Sequence, residues 1–114
     1  MEILLIVNDP PYGSERSFNA LRLAKTLGQQ GNRVSVFLMA DAVSCAKRGQ
    51  QVPQGFYSIE LMLGAVMRRG DVLLCGTCLD ARGLKDDELL DGAQRSTMDE
   101  LATRTTSADR VLVF

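Results

Sequence analysis

Four short runs, each apolar almost throughout, recur along this chain and constrain its fold more than any other feature. They are EILLIV (2–7), RVSVFLM (33–39), DVLLC (71–75) and RVLVF (110–114), and only RVSVFL shows some alternation. A strand with one wet face alternates apolar and polar residues. A strand that is apolar on both sides of its pleat must be covered on both faces, as in a mainly parallel sheet. Parallel neighbours need long crossover connections, usually helical.

The intervals between the runs carry helical period. Ala20, Leu23, Ala24 and Leu27 follow the i, i+3, i+4, i+7 spacing, and Gly28 and Gly31 offer a stop. Ile59, Met62, Leu63 and Val66 repeat that spacing behind Ser58 as N-cap, with Gly70 closing the helix. Met98, Leu101 and Ala102 make a third helix, where Thr97 and Glu100 stand at capping-box spacing. TCLDARG (77–83) reads as a short helix with Thr77 as N-cap. GQQVPQGF (49–56) is the most loop-like and mobile stretch, and LLDGAQ (89–94) is a candidate fifth strand. This order predicts a three-layer α/β/α sandwich. A mainly parallel sheet of four to five strands and right-handed crossovers form a single domain over residues 1–114.

Charge excludes one class of partner. The 114 residues include 13 basic and 14 acidic side chains, interspersed, for a net charge of −1. There is no basic stripe for a phosphate backbone, so nucleic acid is not expected. No apolar run approaches the roughly 20 residues of a membrane helix. The opening EILLIV lacks the length, positive flank and cleavage site of a signal peptide. The expected setting is a cytoplasmic, reducing one, in which an odd number of cysteines suits free thiols rather than a disulfide framework.

Ligands of parallel α/β sheets gather at the carboxyl ends of the strands. NDPPYGSE (8–15), ADAVSCAKRGQ (40–50) and CGTCLDARG (75–83) should therefore share one rim, bringing Tyr12, Ser14, Asp41 and Arg48 toward Cys75 and Cys78. A free thiol is only about 3% ionised at neutral pH, and making it mostly thiolate takes about 2.7 kcal/mol. A helix start contributes about 0.3–1 kcal/mol, or about 2 when partly buried, so Arg82 or Arg48 would have to assist. The alternative for Cys75 is plain packing at a strand end. Cys45 has no sequence partner and reads as a packed thiol. Zinc normally takes four ligands; three cysteines and no histidine within one chain do not supply them. A thioredoxin-type motif would be followed by a proline, and Pro10, Pro11 and Pro53 all precede this one. PPYGSE (10–15) can present an anion site through Gly13, Ser14 and the following helix start, or can simply be a capped loop.

Taken together and in order, PPYGSE (10–15), FLMADAV (37–43), RGQ (48–50), CGTCLDARGL (75–84), LLDGAQRSTMDELA (89–102) and ADRVLVF (108–114) resemble the DsrE/DsrF family, in its YchN-like branch. The resemblance implies a parallel α/β sandwich, homohexamers of two stacked trimers, and sulfur handling with no bound cofactor or metal. It implies that Cys75 accepts sulfane sulfur as a persulfide and passes it between donor and acceptor proteins. Cys78 would be a second or resolving thiol. Tyr12, Gly13, Ser14, Arg82 and, more weakly, Arg48 would shape an anionic pocket. A non-catalytic oligomeric binding module and a small thiol–disulfide redox protein remain the alternatives.

Overall fold

The computed structural model describes all 114 residues. The four apolar runs are strands: β1 (Glu2–Val7), β2 (Arg33–Leu38), β3 (Asp71–Cys75) and β5 (Arg110–Val113). A three-residue strand, β4 (Gln94–Ser96), completes a five-stranded sheet of order β4-β3-β2-β1-β5, parallel at every pairing. The candidate fifth strand thus exists, but it begins where the expected 89–94 segment ends. Leu89 instead makes one isolated bridge to Lys47.

The helices are α1 (Arg16–Gln29), α2 (Ile59–Met67), α3 (Gly76–Ala81) and α4 (Met98–Ser107). Two 3₁₀ segments, Ala40–Ala46 and Asp86–Glu88, follow β2 and α3. The chain steps outward from β1 to β4 through adjacent strands, then returns through α4 to place β5 beside β1. Right-handed crossovers put α1 and α2 on one face and α4 on the other, and α1 packs on α2 while α4 lies against β1.

Local chemistry explains most boundaries. Ser58 caps α2 through the N–H of Leu61, and Thr97 caps α4 through the N–H of Glu100. The expected capping box at α4 is only half made. Glu100 turns to the Ser96 hydroxyl and to Arg104, 3.2 Å away, instead of reaching back to the backbone of Thr97. Arg104 then reaches Ser35 and Asp71, each at 2.8 Å, which ties α4 across β2 and β3. On α1 the buried stripe is Ser17, Ala20, Leu21, Ala24 and Gly28, which keeps Ala20 and Ala24 of the expected face and leaves Leu23 and Leu27 half-buried. Gly70 is dictated by close approach: a β-carbon there would lie 1.8 Å from the carbonyl oxygen of Val34.

Phe37, Leu4, Leu5, Leu38, Leu73 and Leu74 lie fully buried at the centre of the core. Each such side chain contributes about 1.5–3 kcal/mol relative to exposure. The expectation of cover on both faces holds for β1, β2 and β3 and fails at β5. That edge strand leaves Val111 37% and Val113 67% exposed.

Candidate functional site

At the carboxyl end of β3, Cys75 passes directly from strand into the N-cap position of α3. The cap residue is therefore Cys75, and Thr77 lies inside the helix rather than before it. The first helical residue is a glycine, Gly76, because Arg95 lies over it. A β-carbon at Gly76 would meet the Arg95 guanidinium and the carbonyl of Ser96, each at 3.1 Å. Arg95 is held there by Gly76 O at 3.2 Å and by Asp80 and Asp86, each at 3.1 Å.

Residues three apart on a helix face each other, and the two thiols do so. Cys75 is 6% exposed and Cys78 is half-buried. Burial pushes the Cys75 thiol above its ordinary pKa, and the neighbouring Cys78 thiol raises it further. The backbone N–H groups of Cys78 and Thr77 act in the opposite direction without offsetting this. The expectation of an ionised resting Cys75 is thus corrected: desolvation disfavours the charge. A six-residue helix, less than two turns, has only a small dipole to set against it.

Cys78 has a different environment. Its sulfur accepts a hydrogen bond from the N–H of Ala40 at 3.2 Å. Ala40 has φ 50°, a left-handed conformation that costs a residue with a β-carbon about 1–2 kcal/mol. The Arg82 guanidinium spans the same two segments. Its Nε and Nη2 donate to Asp41 at 3.0 and 2.8 Å, and its Nη1 donates to the carbonyl of Cys78 at 3.2 Å.

The single rim expected from topology divides in two. Asp41 and Arg82 come to the thiols; Tyr12, Gly13, Ser14 and Arg48 make their contacts elsewhere. The Tyr12 hydroxyl accepts the N–H of Ile59 at the start of α2, and its ring stacks on Tyr57 at 5.4 Å. Tyr12 also has a left-handed φ of 64°. Gly13 sits against Pro10, and the Ser14 hydroxyl donates to Asp9 at 2.7 Å. The loop that was to hold an anion therefore already engages a carboxylate of its own chain. Arg48 donates to the carbonyl of Leu89 at 2.7 Å and pairs with Asp91 at 3.5 Å. For Tyr12, Gly13 and Ser14 the separation follows from strand order, since β2 stands between β1 and β3, whereas Arg48 is held at Leu89 beside the Lys47–Leu89 bridge. Two strand spacings, about 10 Å, part the loops that follow β1 and β3.

A recess of about 680 Å³ opens beside Tyr12, Tyr57, Phe56 and Pro53, and the thiols line none of the surface recesses. Cys45 is 1% exposed, its sulfur 3.7 Å from the carbonyl oxygen of Asp9. Burial pushes its pKa up to about 11, so packing is the reading that fits it. No three His, Cys, Asp or Glu side chains cluster as metal ligands, and no helix is long and apolar enough to cross a membrane. Sequence reasoning missed Ala40 and Arg95. Ala40 acts through its backbone, which no side-chain motif reports. Arg95 reaches Gly76 only because β4 pairs with β3, where Leu74 stands opposite Arg95.

Comparison with known proteins places these features in a wider group. The model of the DsrE/DsrF-like family matches residues 1–114. The chain is 44% identical to Protein YchN of Escherichia coli (strain K12) over 99% of its own length and 98% of the relative's. It is 36% identical to the uncharacterized protein MJ0989 of Methanocaldococcus jannaschii over 100% of both chains. The crystal structure of the Escherichia coli YchN protein superposes with a TM-score of 0.94 at 44% identity, covering 100% of this chain and 99% of that one.

Proposed function

Because the chain belongs to the DsrE/DsrF-like family, which is sulfur-relay related, we propose that it is a cytoplasmic sulfur carrier that holds sulfane sulfur as a persulfide on Cys75, with Cys78 as its working partner. The observation that carries this reading is the paired arrangement itself. Two free thiols occupy one strand–helix junction, Cys75 as the N-cap of α3 and Cys78 in its first turn, three residues apart.

The arrangement suits storage. A sulfane sulfur on a residue 6% exposed is screened from stray thiols. The backbone amides of Thr77 and Cys78 act to lower the Cys75 pKa, which partly compensates its burial. Attack by the Cys75 sulfur requires loss of its proton, and the Cys78 sulfur, three residues along α3, is the acceptor at hand.

The test is intact-mass spectrometry of the protein after exposure to inorganic polysulfide and a chase with a small thiol. Wild type is expected to keep one added sulfur through the chase, and Cys75→Ser to lose it. A mutant that keeps the sulfur places the carrier elsewhere. The same spectra read the competing thiol–disulfide function, since a Cys75–Cys78 disulfide lowers the mass by two hydrogens and adds no sulfur.

We also propose that the chain works as a homohexamer of two stacked trimers. The support is apolar surface left open at the sheet edge and on helices: Val113, Met98 and Leu61 are 67%, 58% and 75% exposed. Val111 and Val113, two apart and so on one face of the edge strand β5, are 37% and 67% exposed and form an adjacent pair.

A further inference from the structure

We infer that Cys78 is the first acceptor of the transferred sulfur, held for that role by the left-handed backbone of Ala40, and that it hands the sulfur inward to Cys75. The inference rests on the carrier reading above and adds a direction and a positioning residue to it.

Three observations carry it. Of the two cysteines, Cys78 is the more exposed and Cys75 is 6% exposed, so a donor meets Cys78 first. The Ala40 N–H donates to the Cys78 sulfur from 3.2 Å, which fixes that side chain against the segment following β2. That donor is held at a cost, since Ala40 has φ 50° where glycine would be unstrained. Strain of this kind persists only where surrounding contacts impose it. Here the Arg82 bridge from Asp41 to the Cys78 carbonyl joins the two segments.

The chemistry closes without an added oxidant or reductant. The Cys78 thiolate attacks the outer sulfur of a donor persulfide, R–S–SH. A new S–S bond forms on Cys78 as the donor's S–S bond breaks, and the donor leaves as R–S⁻. The Cys78 persulfide then loses its proton to solvent. Cys75 attacks the outer sulfur of that Cys78–S–S⁻ group while its own proton passes to the Cys78 sulfur, giving Cys75–S–S⁻ and Cys78–SH. Attack on the inner sulfur would instead expel HS⁻ and leave a disulfide. Only the first course preserves the cargo.

Two measurements on the full chain test this. In the first, uptake from inorganic polysulfide is followed by rapid-quench mass spectrometry in wild type, Cys75→Ser and Cys78→Ser. Cys75→Ser is expected to load at the wild-type rate but to lose its sulfur in a thiol chase, and Cys78→Ser to load at least about tenfold more slowly. In the second, wild type is labelled with substoichiometric iodoacetamide and the peptides are mapped. Cys78 is expected to carry most of the label, and Ala40→Pro, which removes the donor, to lose the preference while thermal melting reports whether it folds. Should that variant not fold, the wild-type labelling order decides. Labelling of Cys75 first, or loading of Cys78→Ser at the wild-type rate, overturns the inference and leaves the carrier reading intact. A wild type that takes up no sulfur overturns both.

Discussion

Raising the pH should weaken this fold through Cys45, a thiol with no part in the proposed transfer, and the size of the effect can be worked out. Cys45 is 1% exposed and its pKa rises from 9.0 to about 11, chiefly through burial. The charge of Asp9 adds to the rise, and a hydrogen bond with Ser17 opposes it. In the unfolded chain the thiol ionises at its ordinary value, so above pH 9 the unfolded state binds fewer protons than the folded one, and stability falls as pH rises. The contribution is fully present below about pH 9 and is lost as pH passes through about 11. Two pKa units correspond to about 2.7 kcal/mol in total, of which about 1.4 kcal/mol is lost by pH 10. Urea unfolding of wild type and Cys45→Ala at intervals from pH 8 to 10 isolates this term, because every other titrating group is common to both. Cys45→Ala should start less stable, having lost a buried sulfur, and then lose less stability with pH, closing the gap by about 1 kcal/mol. Curves that stay parallel across the range would refute the desolvated environment assigned to this thiol.

Two further expectations concern the clamp and the assembly. Arg82→Met keeps the aliphatic stem but removes the bridge to Asp41. Because both partners are partly exposed, the loss of stability by urea unfolding should not exceed about 1 kcal/mol. The preference of iodoacetamide for Cys78 over Cys75 should nonetheless fall, and an unchanged preference would remove Arg82 from the positioning role. Light scattering of the full chain should give six times the mass of one chain, with Val113→Lys shifting it toward smaller species; a single-chain mass in wild type would count against the hexamer.

How much could be read in advance depended on what kind of interaction set each feature. Strand positions were visible because both faces of β1, β2 and β3 are buried, which forces continuous apolar runs. The caps at Ser58 and Thr97 were visible because they are local hydrogen bonds between near neighbours. β4 was not, since QRS has no strand character of its own and is held by pairing with β3. The thiol pair was legible as a motif, but its charge state was not. Spacing places Cys78 beside Cys75, while burial by remote segments raises the pKa of Cys75.

Local pattern alone therefore determined the layers, the parallel sheet, and the presence of two thiols at the junction of β3 and a short helix. These depend on side-chain period and on contacts within a turn or so of sequence. Tertiary structure alone decided that Ala40 would face Cys78, that Arg82 would pair with Asp41 rather than with a sulfur, and that Tyr12 and Arg48 would settle away from the thiols. Each joins segments about 40 residues or more apart in the chain. The physical reason is that a sheet's strand order sets which loops meet, and no residue in a loop records the order of the strands around it.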